Sequence, residues 1–128
     1  MNCCEMWLKA NKLTLNKNKT QSLLFSLKEE QATYNKVKYL GITLDHKLNW
    51  GKQIDSLTSK LNSALYQLRK LVNYCTLEGS ITFYFSNFNS LINYGVILWG
   101  NSTYAIRIFR IQKKAIRILA NISDQRVH

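Results

Sequence analysis

The hydrophobic period of the chain changes at Trp50, where alternation of apolar and polar residues gives way to a helical repeat. The alternating apolar residues before this point are Val37, Tyr39, Ile42 and Leu44. Leu40-Gly41 interrupts the alternation, so the pattern predicts a half-buried strand with a register shift at the glycine. Residues 45–49 supply turn-forming side chains, and the chain is therefore expected to form strands up to Trp50 and helices after it.

Two further short strands are predicted nearer the N-terminus. Residues 13–15 alternate apolar and polar side chains, residues 17–19 favour a turn, and residues 22–26 predict a strand that pairs back. A helix that ends near residue 10 is expected before them, and a polar loop at residues 28–36 after them. The sequence thus predicts a small antiparallel sheet between Leu13 and Leu44.

The helical part begins at Gly51 with apolar residues at gaps of three and four. This stripe predicts a core-facing helix of about five turns, and its members are Ile54, Leu57, Leu61, Ala64, Leu68 and Leu71. Thr76 is the predicted N-cap of the next helix, with Glu78 in its first turn. From Ile81 to Tyr94 that helix is apolar nearly all round, which predicts burial in a bundle or contact with a partner.

The last predicted helix is capped by Ser102 or Thr103, ends near Ala120 and has two distinct faces. Its apolar arc comprises Ile108, Ile111, Ala115, Ile118 and Ile122. The neighbouring arc is cationic and comprises Arg107, Arg110, Lys113, Lys114 and Arg117. Cationic helix faces are commonly solvated surface, but from Gly79 onward the only acidic residue is Asp124, so intrahelical ion pairs are almost absent. This imbalance favours contact with phosphates; a membrane-surface helix is the alternative, although packing explains the apolar arc better.

The charge balance points to the same class of partner. Among 128 residues, 18 are Lys or Arg and 7 are Asp or Glu, which gives a net charge of +11. Such an excess is offset most simply by a nucleic-acid backbone, and the alternative is a basic protein with no polyanion partner. A chain of 128 residues is long enough to form one domain with a hydrophobic core. The three cysteines lack metal-binding spacing and no leader or membrane span is evident, so an intracellular protein of the nucleus or cytoplasm is expected.

The sequence contains no recognisable catalytic constellation. Its carboxylates are scattered, its two histidines are isolated, and it lacks the phosphate-binding loop, the zinc-protease helix and the nucleophile elbow. The residue types present are lysines in turns, basic helix surface and aromatic side chains. These are typical of a protein that holds nucleic acid rather than one that transforms it.

The order of several short motifs resembles one protein family, the reverse transcriptases of LINE-type (non-LTR, jockey-like) retrotransposons. The motifs that carry the resemblance are Trp7-Leu8-Lys9-Ala10-Asn11-Lys12-Leu13-Thr14-Leu15-Asn16, Lys19-Thr20, Leu24-Phe25, Val37-Lys38-Tyr39-Leu40-Gly41-Ile42, Leu44-Asp45, Leu48-Asn49-Trp50, Tyr94-Gly95, Leu98-Trp99-Gly100-Asn101 and Gln112-Lys113-Lys114-Ala115-Ile116-Arg117. They run from about Met6 to Ile122 in the family's order. Each motif is weak alone, and the ordered set is specific.

The resemblance implies a truncated polymerase of the α+β class. Residues 1–50 would be the end of the palm, with an antiparallel β-hairpin region, and residues 51–128 a three-helix, thumb-like bundle. Lys19 matches a lysine that protonates the pyrophosphate leaving group in such enzymes. The Tyr39-Leu40-Gly41-Ile42 motif matches the primer grip, a hairpin that holds the primer's 3′ end at the active site. Its glycine allows backbone to approach a sugar-phosphate closely.

By the same resemblance, the thumb would clamp a template-primer duplex of RNA and DNA by contacting the sugar-phosphate backbone of the duplex, without reading its base sequence. No membrane partner is expected. The cationic arc of the last helix would make these contacts, with a second set at Lys52, Lys60, Arg69 and Lys70. The family binds Mg²⁺ through aspartates in an aromatic-Ala-Asp-Asp motif, which should lie upstream of Met1, so no metal or other cofactor is expected in this fragment. Its remaining partners would be the missing palm and fingers, and polymerisation is not expected from this chain alone.

Two alternatives to this function remain open at the level of sequence. One is an inactive genomic remnant, consistent with the missing aspartates. The other is a helical protein-interaction module whose binding surface is the aromatic helix from Ile81 to Tyr94. Salt dependence separates the module from a nucleic-acid binder, because apolar association does not weaken with salt as phosphate contacts do.

Overall fold

A computed structural model describes residues 3–25 and 36–126, the last five of them by backbone alone. In chain order its elements are α1 (Cys3–Ala10), β1 (Lys36–Tyr39), β2 (Ile42–Asp45), α2 (Gly51–Leu71), α3 (Leu77–Phe83), a π-helical segment (Tyr84–Asn89), α4 (Ser90–Asn93), α5 (Val96–Trp99), a 3-10 turn (Thr103–Ala105) and α6 (Ile106–Arg126). A two-stranded antiparallel hairpin therefore precedes a mainly helical part, which confirms the α+β prediction. No helix of the described ranges has the length and hydropathy needed to cross a membrane.

The segment around Gly41 forms a β-hairpin. β1 and β2 are antiparallel, with Tyr39 opposite Ile42 and Lys36 opposite Asp45. Leu40 and Gly41 between them have φ angles of 49° and 81°, and two consecutive positive values are what a two-residue type I′ turn requires. The prediction of one strand with a register shift was wrong, because these two residues reverse the chain instead of adding a bulge to it.

The two strands predicted near the N-terminus are not formed in the described residues 13–25. The turn at residues 17–19 is present, and the Asn16 side-chain oxygen accepts hydrogen bonds from the backbone N–H groups of Asn18 and Lys19 at 3.1 and 3.3 Å. The flanking apolar side chains, such as Leu15 and Leu24, are exposed. Strands of this length need a buried face to persist, and these find none among the described residues. Ser26 and the predicted loop, except for Lys36, lie outside them.

The hydrophobic core lies between α2, the helical run from α3 to α4, and α6. The predicted stripe of α2 is confirmed, since Ile54, Leu57, Leu61, Ala64 and Leu68 are buried and Leu71 is half-buried. On α6 the apolar arc is confirmed at Ile108, Ile111 and Ala115, which are buried. Three helical segments thus share one core, with the hairpin at the N-terminal end of α2.

The second helical run begins as predicted and contains an irregularity that sequence did not reveal. The Thr76 hydroxyl accepts a hydrogen bond from the Gly79 N–H at 3.2 Å, which confirms this N-cap. The π-helical segment then allows three apolar residues at a spacing of four to face the core, namely Tyr84, Phe88 and Ile92. In a regular α-helix a four-residue spacing drifts around the axis, and the wider π-turn compensates for that drift.

The last helix is longer than predicted. A 3-10 turn at Thr103–Ala105 precedes it, Ser102 makes no capping hydrogen bond with its side chain, and the helix runs from Ile106 to Arg126 instead of ending near Ala120. No glycine or proline occurs in residues 106–126, so nothing in the local sequence stops the helix at the predicted position.

Candidate nucleic-acid interface

The tip of the β-hairpin is held against the end of α4. The Tyr94 hydroxyl donates a hydrogen bond to the Leu40 carbonyl oxygen. The Tyr94 ring lies under the turn, since a Cβ added to Gly41 would be 3.9 Å from both its Cε1 and its hydroxyl oxygen. The next residue, Gly95, has a φ of 76°, and a Cβ there would lie 3.0 Å from Ile42 Cδ1. The Tyr94-Gly95 corner therefore supports both the turn and the strand that follows it.

A buried glutamine joins the hairpin to α2. The Gln53 side-chain oxygen accepts a hydrogen bond from the Thr43 N–H of β2 at 2.9 Å. Gln53 is only 9% exposed, so this amide replaces water as the partner of the strand's backbone. The loop that leads into α2 is ordered by Asp45, whose side-chain oxygen accepts from the Asn49 N–H at 2.9 Å. This contact confirms the predicted turn after β2.

A groove opens between the hairpin tip, α2 and α4. This hairpin groove has a volume of about 410 Å³ and is lined by the tip residues Leu40 and Gly41, by Lys60 of α2 and by Ser90 of α4. Lys60 is exposed and makes no hydrogen bond or ion pair with the described residues. An unpaired ammonium group thus shares one open groove with an exposed backbone turn.

A second groove of about 330 Å³ continues the first along α2 and the π-helical segment. The two share Lys60, Ser90 and Leu91. The polar residues added by the second groove are Ser63, Gln67, Ser86 and Asn87. None of the described residues that line either groove is acidic. Hydroxyl and amide groups beside a lysine, with no carboxylate among them, match the groups that bind sugar and phosphate oxygens.

The cationic arc of α6 divides into one paired and several free side chains. Arg107 Nη1 lies 2.6 Å from Asp55 Oδ1 of α2, so its guanidinium group already has an anionic partner. The other four are exposed and make no hydrogen bond or ion pair within the described part of the chain: Arg110, Lys113, Lys114 and Arg117. The free positive charge of this face therefore lies in the middle of α6, from Arg110 to Arg117.

The remaining candidates on α2 do not join Lys60. Lys52 and Lys70 lie near opposite ends of the helix, about 27 Å apart at 1.5 Å per residue. Lys70 Nζ lies 5.7 Å from the centre of the Tyr66 ring, a cation–π distance. Arg69 is exposed and, like them, lines neither groove.

The candidates from the hairpin region have different surroundings. Leu40 and Gly41 meet Lys60 in the hairpin groove, and Tyr39 is exposed beside the tip. Lys19 lies in the exposed turn of the N-terminal segment and lines neither groove. The structure thus brings the hairpin tip and Lys60 together and leaves the other candidates on separate surfaces.

Sequence reasoning missed the polar lining of the grooves and the residues that hold the hairpin. A signal for the lining was available, because Ser56, Lys60, Ser63 and Gln67 recur at gaps of four, three and four. Such a spacing places them on one face of α2, beside the apolar stripe. Tyr94 and Gln53 had no comparable signal, since their partners are backbone atoms distant in sequence.

Within residues 3–25 and 36–126, no group of three or more His, Cys, Asp or Glu could hold a metal ion. The arrangement can bind a polyanion through lysine and arginine side chains and hydroxyl groups.

Comparison with known proteins shows a similarity to a transposon polymerase. No family model and no solved structure matches the chain. The chain is 28% identical, over 137 residues, to a probable RNA-directed DNA polymerase from transposon BS of Drosophila melanogaster. The alignment covers 92% of this chain and 15% of that polymerase, so the chain spans a small part of the relative's length. This similarity supports a distant relation to a reverse transcriptase of a transposon.

Proposed function

We propose that this chain is the C-terminal palm and thumb part of a reverse transcriptase of a LINE-type, jockey-like retrotransposon. In this role it contacts the sugar-phosphate backbone of a template-primer duplex of RNA and DNA, independently of base sequence. The observation that carries the proposal is the hairpin groove, where Leu40-Gly41, the segment that resembles a primer grip, meets the unpaired Lys60. The similarity to the transposon polymerase over 92% of the chain supports the reverse-transcriptase part of this assignment.

The hairpin tip would make the close contact with the duplex. Leu40 is 72% exposed and Gly41 lacks a side chain, so backbone and one apolar side chain are both presented at the turn. Lys60 and the hydroxyl groups of Ser56 and Ser90 lie in the same groove, where they would bind phosphate and sugar oxygens. Contacts of this kind position a duplex without reading its bases.

The middle of α6 would supply most of the electrostatic attraction. Arg110, Lys113, Lys114 and Arg117 are exposed cations without acidic partners among the described residues, so they are free to displace counterions from a duplex. Arg107 would contribute less, because Asp55 neutralises it. Lys52, Arg69 and Lys70 would add weaker, peripheral contacts.

Catalysis would require parts that the described residues do not provide. The family resembled binds Mg²⁺ through clustered aspartates, and no cluster of carboxylates suited to such an ion is found in the described residues. We therefore assign no step of polymerisation to this chain. In an assembled polymerase, Lys19 would be the donor to the leaving group. The exposed apolar residues of the N-terminal segment, among them Trp7, Leu15 and Leu24, would pack on the palm and fingers.

The proposal is tested by affinity for an RNA–DNA hybrid measured across a range of salt concentrations. The variant Arg110→Glu/Lys114→Glu/Arg117→Glu should bind orders of magnitude more weakly than the native chain at low salt. Its slope of log affinity against log salt should be flatter by about 2 to 3, since each phosphate contact in duplex DNA contributes about 0.9. The matched control Lys9→Glu/Lys12→Glu/Lys17→Glu changes the net charge equally and should retain most of the slope.

Three outcomes would contradict the proposal. Equal losses in both triple variants would mean that overall charge, and not the α6 face, attracts the hybrid. Absence of binding by the folded native chain would instead favour an inactive remnant. Apolar association with another protein, insensitive to salt, would favour the interaction module, although Phe88 and Ile92 of its expected surface are buried in the core.

A further inference from the structure

The hairpin tip combines an unfavourable backbone conformation with an exposed apolar side chain. Leu40 has a φ of 49°, which is costly for a residue with a Cβ, and type I′ turns strongly favour asparagine or glycine there. The side chain gains little by burial to offset this, since it is 72% exposed. A conformation of this kind persists only where the surrounding structure holds it in place.

Tyr94 is the residue that holds the tip. Its hydroxyl donates to the carbonyl oxygen of Leu40 itself, and its ring lies against Gly41. Two other contacts with the helical part act on β2, through Gln53 to Thr43 and through Gly95 to Ile42. Loss of the Tyr94 hydroxyl would therefore leave the base of the hairpin anchored and its tip free.

The ring of Tyr94 is itself well placed for this task. Tyr94 ends α4, and Gly95 turns the chain immediately after it, so the ring projects from a rigid corner. Tyr94 also lines the hairpin groove together with Leu40, Gly41 and Lys60. A hydrogen bond across the groove thus contributes to the position of the tip relative to Lys60.

We propose that Tyr94 is a positioning residue that fixes the Leu40-Gly41 tip beside Lys60 in the geometry that binds a nucleic-acid backbone. This inference rests on the proposed function. Tyr94 acts through Leu40 and need not touch the bound duplex. Its hydroxyl should therefore affect binding through the position of the Leu40 side chain and of the Leu40-Gly41 backbone.

The first arm of the test measures the tip without any ligand. Amide hydrogen exchange at the tip, residues 39–42, should accelerate roughly two- to tenfold in Tyr94→Phe, the range that corresponds to loss of one hydrogen bond. Exchange in α2 should not change, whereas a general loss of stability would accelerate it too. Tyr74→Phe is the matched control, because Tyr74 is 88% exposed and should leave both segments unchanged. Unchanged exchange of the hairpin in Tyr94→Phe would overturn the inference.

The second arm measures affinity for the RNA–DNA hybrid in a double-mutant cycle. Tyr94→Phe should weaken binding roughly two- to tenfold in the native background, with the salt slope retained, because no phosphate contact is removed. In the Leu40→Ala background the same change should have a smaller effect, because the leucine side chain is no longer there to be positioned, although the backbone of the tip still is. Unchanged affinity of Tyr94→Phe in the native background would overturn the positioning role. Absence of binding by the native chain would contradict the proposed function instead, and the exchange arm would still report whether the hydroxyl holds the tip.

Discussion

Replacement of Gly95 by alanine should destabilise the protein through two separable effects. The φ of 76° places this residue in the left-handed region, where a side chain costs about 1–2 kcal/mol. The new Cβ would also lie 3.0 Å from Ile42 Cδ1, and Ile42 is buried, so its side chain has little room to move. Overpacking of this kind costs about 1 kcal/mol at the lower end of its usual range. The expected loss in free energy of unfolding is therefore about 2–3 kcal/mol.

Gly41→Ala is the matched control for the backbone effect. Its φ of 81° is similar, but the added Cβ would meet the Tyr94 ring at 3.9 Å, an ordinary van der Waals distance. The expected loss is the conformational cost alone, about 1–2 kcal/mol. The difference between the two variants isolates the contact with Ile42.

A second substitution identifies the atom responsible. Ile42→Val removes the Cδ1 methyl group and should cost about 1 kcal/mol in the native protein. In the Gly95→Ala background it should cost nothing or restore stability, because the clashing atom is gone. Urea unfolding followed by circular dichroism measures all five proteins, with an unchanged m value as the check on comparability. Equal losses for Gly95→Ala and Gly41→Ala, or an additive Ile42→Val, would refute the reasoning.

Three further outcomes follow from other contacts. Asp55→Asn should release Arg107 and, because the pair is exposed, lower the free energy of unfolding by less than about 1 kcal/mol. It should also steepen the salt slope of hybrid binding by about 1, and an unchanged slope would exclude a phosphate contact for Arg107. Leu40→Asn should raise the free energy of unfolding in urea by about 0.5–1 kcal/mol, because asparagine suits the turn better. The same variant should bind the hybrid more weakly, and stronger binding would contradict a role for the leucine side chain. Thr76→Ala should cost about 1 kcal/mol through loss of its hydrogen bond to Gly79, whereas Thr76→Ser should retain most of it.

The helical part of the fold could be predicted because its sequence signals are local. The stripe of α2 repeats a spacing that only a helix brings to one side, and Leu61 and Leu68 are buried as that spacing requires. Thr76 lies three residues before the N–H that it caps, so the cap is visible in the sequence itself. The π-helical segment had no such signal, because it depends on how Tyr84 and Phe88 reach a core formed by other helices.

The hairpin shows where local reasoning was insufficient. Leucine at position 40 argues against a type I′ turn, and the turn is nevertheless present because Tyr94, 54 residues away in sequence, binds its carbonyl group. The prediction of the N-terminal strands was wrong for the opposite reason. Their alternation of apolar and polar residues is a local signal, but no buried surface among the described residues stabilises such strands. The cationic arc of α6 was visible in sequence, but the pairing of Arg107 with Asp55 required the packing of α6 on α2.

The most direct measurement of the central claim is a lysine acetylation footprint of the native chain with and without a saturating RNA–DNA hybrid. Lys60, Lys113 and Lys114 should each lose reactivity severalfold when the hybrid is bound, because their ammonium groups would contact phosphates. Lys9 and Lys12, in the exposed N-terminal segment, should react equally in both conditions. Full reactivity of Lys60 in the bound state, or equal protection of all these lysines, would contradict a duplex held in the hairpin groove and along α6.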